Sequence, residues 1–286
     1  MIKTKNTFFK GEFLIFLTAT LWSFSALIAR LADLNPILLV ALRSFFALAV
    51  LLPVAKFKFK INWHIIIGTL CYLGNNISYY IALEYTSAGN AILLCYTAPI
   101  FVLIWASLYF KKKPALMQLF VLLLTIIGVV IIFYSDLGGG AILGDAIALI
   151  GGLSFSGLFF VNSLPKSSSI HSTIYGSFIS IFFTLFLIPE VIAMPAMSWL
   201  WVGVMGSVEI GLAYVFFDKG IKNCSGFNAS LISTIEVVLC PIWVAIFLHE
   251  PIGIYTIIGG TIILISIIIN VLYEKQQAKK RNMTAI

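Results

Sequence analysis

The chain has 286 residues, of which 61% are hydrophobic and 10% are charged, and its mean hydropathy is +1.07. About a quarter of the residues in a soluble domain are charged, so the composition excludes a soluble protein and indicates an integral membrane protein. The formal net charge of +7 does not indicate nucleic-acid binding, because the basic residues lie in short clusters between apolar runs and form no basic face with interleaved aromatic residues.

Ten apolar segments, numbered 1 to 10 in chain order, are separated by short hydrophilic links. Each has roughly the 20 residues that a membrane-spanning helix needs. Segment 1 follows three lysines, as a signal peptide would, but its apolar run is too long and no convincing cleavage site follows. We therefore expect an all-α integral membrane protein with ten transmembrane helices in a single membrane domain, 1–286. The predicted bounds are 12–31, 36–55, 63–84, 88–110, 115–134, 143–164, 171–192, 198–217, 227–248 and 253–273.

The distribution of charge predicts the orientation. If the N-terminus is cytoplasmic, the inside links and tails hold all of the 18 basic residues except Arg30 and Arg43. By the positive-inside rule, both termini then lie in the cytoplasm and the protein spans the cytoplasmic membrane. The outside links hold Asp33, Glu84, Asp136, Asp145, Glu190 and Glu250.

An internal repeat divides the chain into halves, predicted at 11–134 and 143–273. Each half has five helices, so the two enter the membrane from opposite sides, which is the inverted arrangement of many secondary transporters. We expect Gly138-Gly139-Gly140 to form a hinge-like connector between the halves. Residues that recur 138 positions later are Ser87, Asn90, Ala91, Leu93, Ile104 and Trp105, matched by Ser225, Asn228, Ala229, Leu231, Ile242 and Trp243. Gly11, Glu12 and Ser23 recur 133 positions later as Gly144, Asp145 and Ser156.

Segment 9 carries a carboxylate, Glu236, near the middle of its apolar run. Such a group costs roughly 2.5–3.5 kcal/mol on insertion scales, so we expect it to face a bundle interior or a watery cavity. Ser233, Glu236, Cys240 and Trp243 share one helical face, and Pro241 can disturb the helix just beyond the carboxylate. Glu236 then binds a cationic group of the substrate or a coupling proton. The alternative is that it caps a broken backbone or pairs permanently with Arg43.

Two further charged residues lie inside segments. Glu209, in segment 8, can bind substrate or the coupling proton by the same reasoning. Arg43, in segment 2, can hold a substrate carboxylate or neutralise one glutamate, and the pairing is favoured. A paired Arg43 leaves one negative charge and favours a cation or zwitterion as cargo, whereas a free Arg43 suits an amino acid.

Aromatic side chains supply the remaining candidates. Segment 3 places Tyr72, Asn76 and Tyr79 on one face, and Trp22 projects from segment 1. Aromatic walls beside a carboxylate suit ammonium groups, although aromatic stripes in membrane bundles are more often packing. The predicted substrate-binding set is Glu236, Glu209, Trp22, Tyr72, Asn76, Tyr79, Asn90, Tyr96, Ser233, Trp243 and Arg43.

Enzyme chemistry finds little support. The chain has no HExxH, P-loop or GxGxxG motif, and in the stretch 152–157 Ser156 occupies the position that the second glycine of GxSxG needs. His171 and His249 lie in predicted links and His64 at a helix start, and no cysteine pair has zinc spacing. We expect no enzyme activity, no cofactor and no metal. The protein is expected to be a monomer or a homodimer, and transport is expected to be driven by a gradient.

Several stretches carry a family resemblance: GEFLIFLTATLWSFS in segment 1, RSFFAL in segment 2, ALEYTSAGNAILLCYTAPIFVLIWASLYF through segment 4 and SLISTIEVVLCPIWVAIFLHEP in segment 9. On these the chain resembles the drug/metabolite transporter superfamily, in its EamA-type branch of two repeats and ten helices. Members commonly carry an acidic residue followed by Pro in mid-ninth helix and a Glu at its outer end. Here these positions are Glu236, Val237 and Glu250, and Lys113 stands where the first repeat usually has Glu.

The resemblance implies alternating-access transport of a small organic solute, often export of amino acids. We expect a secondary transporter of a small amino-acid-like or cationic metabolite, with a central site lined by segments 1, 3, 4, 6, 8 and 9 and coupled to protons through Glu236 or Glu209. One alternative is uptake of choline or another quaternary ammonium by a cage of Trp22, Tyr72 and Tyr79. Another is a lipid-carrier flippase, which should show a polar groove open to lipid.

Overall fold

The computed structural model describes residues 5–134, 137, 142–249 and 251–283. This part of the chain is all-helical, and helix occupies each of the ten predicted segments. In order, the helices are Lys5–Trp22 and Ser25–Ala32 (segment 1), Pro36–Val54 (2), Trp63–Tyr85 (3), Ala88–Cys95 and Ala98–Phe110 (4), Leu116–Ile132 (5), Ile142–Ser163 (6), Ser169–Phe182 with the 3₁₀ turn Phe183–Phe186 (7), Ala196–Val204, the π-helical Met205–Leu212 and Ala213–Ile221 (8), Gly226–Ser233 and Ile235–Leu248 (9), and Ile254–Met283 (10). A short helix, Ile188–Ala193, links segments 7 and 8.

Eight of the described helical stretches are long and apolar enough to cross a membrane, and they contain all segments but the third and fifth. Segment 5 is a shorter apolar helix. Segment 3 has 23 residues, but Asn75, Asn76 and its tyrosines make it more polar than the eight. The protein is therefore a multi-pass membrane protein of the predicted all-helical class. Lys3, Asp136, the connector 138–140 and Glu250 lie outside the described residues.

Segments 1, 4 and 9 are interrupted near their middles. In segment 9 the interruption lies at Thr234, and the helix continues through Pro241, so the expectation that Pro241 disturbs this helix is wrong. The Thr234 hydroxyl donates to the Leu231 carbonyl at 2.7 Å, and the Thr97 hydroxyl donates to the Leu94 carbonyl at 2.5 Å in segment 4. Such side-chain bonds to backbone carbonyls compete with the helical ladder.

Helices of the two halves pack against one another. Segment 3 lies along segment 6, segment 5 along segment 10, and segments 1 and 2 along segment 8. At the contact of segments 5 and 10, a Cβ on Gly128 would lie 2.8 Å from the Gly259 carbonyl oxygen, so two glycines bring the backbones together, as small residues do in membrane bundles. The halves therefore share one bundle.

One hydrogen bond occurs twice, once in each half of the repeat. The Trp105 indole donates to the Ser156 hydroxyl at 3.1 Å, and the Trp243 indole donates to the Ser23 hydroxyl at 2.8 Å. These are the two tryptophans and two serines that the sequence repeat matches. The fourth helix of each half is thus bonded to the first helix of the other.

At its predicted cytoplasmic end, the helix of segment 7 begins at Ser169, two residues before the predicted start at 171. The Asp218 carboxylate accepts from the backbone N–H of Ser169 at 2.7 Å, which caps the helix there. His171 consequently lies inside the helix, and its predicted place in a link is wrong.

Nearby, the Lys222 ammonium donates to the Asn162 carbonyl at 2.8 Å. Burial lowers the pKa of Lys222, and the Asp218 charge opposes that shift.

Candidate functional site

Three segments meet at Arg43 in the bundle interior. Its Nη1 lies 3.4 Å from both carboxylate oxygens of Glu209, and the two side chains are 3% and 7% exposed. Its Nη2 donates to the Asn76 Oδ1, and the Asn76 Nδ2 donates to the Tyr72 carbonyl at 2.8 Å. Segments 2, 3 and 8 are therefore joined by one buried polar network, which we call the arginine network.

Tyrosines enclose the arginine network. The Arg43 guanidinium carbon lies 5.3 Å from the centre of the Tyr80 ring, within the range of cation–π attraction. The rings of Tyr72 and Tyr214 are 5.5 Å apart and nearly perpendicular, and both lie close enough to Arg43 for electrostatic interaction. The Arg43 Nε has no hydrogen-bond partner in the described part of the chain, so one donor remains unused.

Glu209 lies in the π-helical stretch Met205–Leu212. Short π-helical stretches occur often at functional sites. Gly206, in the same stretch, is packed so tightly that an added Cβ would collide with the Arg43 carbonyl oxygen and lie 2.7 Å from the Phe46 Cβ. The absence of a side chain at Gly206 thus brings segment 8 close enough to segment 2 for the Arg43–Glu209 pair to form.

The second carboxylate, Glu236, lies in the first turn of the helix that begins after the Thr234 interruption. A helix N-terminus favours negative charge. Its neighbours include Tyr96, at the interruption of segment 4, and Tyr79 and Cys240. Both interrupted helices therefore converge on this carboxylate.

Glu236 is not the partner of Arg43. Arg43 bonds to Glu209 and Asn76, and among the described residues no lysine or arginine forms an ion pair with Glu236. Of the alternatives that the sequence left open, Arg43 thus pairs with a glutamate, and that glutamate is Glu209. Glu236 nevertheless lies close enough to Glu209 for their charges to interact.

Trp22, Trp243 and Ser233 have mainly structural neighbours. Trp22 is 6% exposed, and its ring packs on four aromatic rings. One of these is Tyr214, at 5.5 Å, which also lies beside the arginine network. Trp243 stacks on Phe24 at 4.4 Å besides its bond to segment 1, and the Ser233 hydroxyl donates to a carbonyl of its own helix at 2.8 Å.

Asn90 lies away from the centre, at one end of the bundle. Its Nδ2 is 3.2 Å from Asp145 Oδ1 and 3.3 Å from Thr86 Oγ1. The structure therefore gathers two adjoining groups from the predicted set, and it places Asn90, Ser233, Trp22 and Trp243 outside them. The two groups are Arg43, Glu209, Asn76 and Tyr72, and Glu236, Tyr79 and Tyr96.

Two tyrosines that the sequence reasoning missed, Tyr80 and Tyr214, lie beside the arginine network. Arg43 of segment 2 was in the predicted set, although segment 2 was not among the segments expected to line the site. Tyr80 adjoins the predicted Tyr79, and the α-helical face chosen for segment 3 excluded it. Tyr214 follows Glu209 by five residues, which is out of phase on an α-helix but close to one turn of a π-helix. The pair Tyr79-Tyr80 was an available signal, whereas the sequence offers none for the π-helical stretch.

A cavity of about 300 Å³ has Glu209 in its lining. Segments 1, 8 and 9 form its walls, with Leu21, Phe24, Trp201 and Phe247 among the lining residues. Glu209 is the one charged residue in that lining. The cavity is thus an apolar cleft and lacks the polar walls that a lipid head group would need.

Comparison with known proteins agrees with this architecture. An uncharacterized transporter of Archaeoglobus fulgidus is 25% identical over 265 residues, covering 91% of this chain and 95% of that protein. An uncharacterized transporter of Clostridium kluyveri is 26% identical over 296 residues, covering 91% and 93%. A solved structure described as "Crystal structure of protein" shares the fold, with a TM-score of 0.78 and 17% identity over 93% of this chain and 98% of that chain.

The repeat that the sequence predicts also has a counterpart among known families. The model of the EamA-like transporter family matches twice, over residues 9–134 and 142–272. Together the two matches span nearly the whole chain, and the resemblance stated from the sequence is confirmed. The chain belongs to the EamA-like transporter family and carries two copies of its domain.

Proposed function

We propose that the protein is a secondary transporter that exports a small amino-acid-like or cationic metabolite by alternating access. The observation that carries this proposal is the position of Glu236, a carboxylate at the meeting point of two interrupted helices. Ion and substrate sites of secondary transporters are commonly formed by discontinuous helices near the bilayer midplane. The names of the relatives, which call them transporters, support the general class.

The charges favour a cationic group in the cargo. Arg43 is neutralised by Glu209 at 3.4 Å, so Glu236 carries the remaining negative charge of this centre. A substrate ammonium bound there would lie beside Tyr79 and Tyr96, whose ring faces attract cations. A substrate carboxylate would find the unused Nε donor of Arg43, so a zwitterion also fits.

Glu236 also offers a means of coupling. One carboxylate cannot hold a proton and pair with an ammonium at the same time, so a proton must leave when the cationic substrate binds. Exchange of the two across the membrane would drive export with a proton gradient, without a nucleotide. Glu209 is a weaker carrier in this proposal, because Arg43 already compensates its charge.

Neither alternative has a comparable observation in its favour. A quaternary-ammonium cage of Trp22, Tyr72 and Tyr79 would require the three rings to face one cation, but Trp22 is enclosed by Phe155, Phe159, Tyr214 and Phe217. The cleft that has Glu209 in its lining is apolar, which does not suit the head group of a lipid carrier.

A thermal-shift screen of the purified protein tests the proposal. Amino acids, polyamines and quaternary ammonium compounds are compared in wild type, Glu236→Gln and, as a control in the same segment, Ser233→Ala. A ligand that binds only the folded state raises the unfolding midpoint. We expect amino-acid-like or cationic compounds to stabilise wild type and Ser233→Ala but not Glu236→Gln. Equal stabilisation of all three proteins would overturn the assignment of Glu236.

A further inference from the structure

A carboxylate outside the central site, Glu12, lies at the predicted cytoplasmic end of segment 1. It is 5% exposed, and neither of its carboxylate oxygens has a hydrogen-bond partner among the described residues. A buried charge without a partner is costly. Glu12 therefore needs a positive charge or a proton that the described protein groups do not supply.

Two buried amides at the same end also have unused hydrogen-bonding atoms. The Asn270 Nδ2 donates to the Asn228 Oδ1 at 3.1 Å, and the two residues are 0% and 1% exposed. The Asn270 Oδ1 and the Asn228 Nδ2 have no partner in the described ranges. Because buried polar atoms are nearly always paired, these two atoms are a second, independent sign of a missing ligand.

The charged and titratable neighbours of Glu12 come from two elements. Glu274, one helical turn beyond Asn270 in segment 10, and Cys224, in the link before segment 9, both lie close enough to interact with it electrostatically. No described lysine or arginine forms an ion pair with Glu12. The carboxylate of Glu12, which has no hydrogen-bond partner among the described residues, therefore favours a cation as the ligand.

The sequence repeat supplies an internal comparison. Asp145, the counterpart of Glu12, accepts hydrogen bonds from the Thr86 hydroxyl at 2.6 Å and the Asn90 amide at 3.2 Å. The positions 138 residues after Thr86 and Asn90 hold Cys224 and Asn228. A thiol is a weak donor, and the Asn228 Nδ2, which corresponds to the Asn90 donor, has no partner among the described residues. The counterparts of the two donors that satisfy Asp145 are thus not bonded to Glu12.

The packing at these two ends is equivalent, so the comparison concerns like positions. A Cβ on Gly11 would lie 2.7 Å from the Cβ of Asn223, and a Cβ on Gly144 would lie 2.6 Å from the carbonyl carbon of Tyr85. Asn223 follows Tyr85 by the same 138 residues. The backbones therefore meet in the same way, and the chemistry of the donors makes the difference.

We propose that Glu12, Asn228 and Asn270 form a site for a monovalent cation, a proton or Na⁺, taken up from the cytoplasmic side. A proton would remove the charge of Glu12, whereas Na⁺ would compensate that charge and take oxygen atoms as its ligands. Either ion would join segments 1, 9 and 10 at this end. This site is separate from Glu236 and does not depend on the identity of the cargo.

The test measures the unfolding midpoint of the purified full chain between pH 6 and 8, in NaCl and in KCl of equal concentration. For a sodium site, NaCl raises the midpoint of wild type above its value in KCl, by about 3 °C when the ion is well above its dissociation constant. For a proton site, the midpoint rises as pH falls in both salts, because protonation removes an unpaired buried charge. Glu12→Gln loses the response, and the repeat control Asp145→Asn keeps it.

A second variant guards against a simple folding defect in Glu12→Gln. Cys224→Thr introduces the hydroxyl that Thr86 offers to Asp145, and it leaves the carboxylate in place. We expect it to fold and to reduce the response to Na⁺ or to pH by at least half. The proposal is overturned if wild type shows neither response, if Glu12→Gln responds like wild type, or if Asp145→Asn loses the response as well.

Discussion

At the scale of single residues, Arg43 is the group whose removal should matter most to the fold. It is bonded to residues of two other segments, and it is 3% exposed. Removing one partner of a buried ion pair leaves the other uncompensated, which typically costs about 3–5 kcal/mol. The structure therefore predicts that replacing both members of the pair destabilises the protein less than replacing Arg43 alone.

A double-mutant cycle tests this prediction. Arg43→Met should lower the thermal midpoint strongly, because Glu209 is left as an unpaired buried charge. Arg43→Met combined with Glu209→Gln should recover much of that loss. The measurement is the apparent unfolding midpoint of the four purified proteins in one detergent, and a double variant no more stable than Arg43→Met would show that the two side chains do not depend on each other.

Sequence reasoning identified the ionisable residues of this centre but left their partners open. Arg43, Glu209 and Glu236 are recognisable because charged groups in apolar runs are rare. Which glutamate Arg43 contacts depends on the packing of segment 2 on segment 8, and a linear pattern does not contain that information. Tyr80 and Tyr214 were missed for a different reason, because the assumed α-helical phase placed both away from the predicted face.

At the scale of helices, the contact of segment 8 with segment 2 depends on Gly206. A Cβ there would collide with the backbone of Arg43, whereas a Cβ on Gly203 would lie 3.5 Å from the Phe46 ring, an ordinary contact. Overpacking of a tight interface costs typically about 1–3 kcal/mol. Gly206→Ala should therefore lower the unfolding midpoint, and Gly203→Ala should leave it nearly unchanged. Equal effects of the two variants would contradict the close approach described here.

The two tryptophan–serine bonds give a second prediction for helices. Ser23→Ala removes the acceptor of Trp243, and Ser156→Ala removes the acceptor of Trp105. Each loss should loosen the contact between the two helices that the bond joins, at a cost of about 1 kcal/mol or less. Maleimide labelling followed by mass spectrometry should show faster reaction of Cys240 in Ser23→Ala and not in Ser156→Ala. The same rate in both variants would mean that the two bonds do not act on separate helix contacts.

The positions of the helices could be predicted, but their interruptions could not. Apolar length defines a membrane segment, and for that reason all ten segments hold helix. Pro241 suggested an interruption of segment 9, but the structure places the interruption at Thr234. A bond from the Thr234 hydroxyl to a backbone carbonyl accompanies it, and such a bond cannot be recognised in the sequence. The π-helical stretch around Glu209 has no sequence signature either.

At the scale of the whole molecule, the repeat explains most of the architecture. Matching residues in segments 4 and 9 predicted two related halves, and the family model matches each half in turn. The repeat is also imperfect where chemistry is expected. Glu236 has no carboxylate 138 residues before it, since Ala98 occupies that position, and the surroundings of Glu12 and Asp145 differ. The carboxylates for which we propose a binding role, Glu236 and Glu12, therefore lie where the two halves differ.

Proton release on ligand binding tests the central claim, that substrate and proton share Glu236. The compound that most stabilises the wild type is added to purified protein in weakly buffered solution, and the change in pH is recorded with wild type, Glu236→Gln and Ser233→Ala. We predict that wild type and Ser233→Ala release a proton as the ligand binds, and that Glu236→Gln releases none. Binding to wild type without proton release, or equal release from Glu236→Gln, would contradict the account.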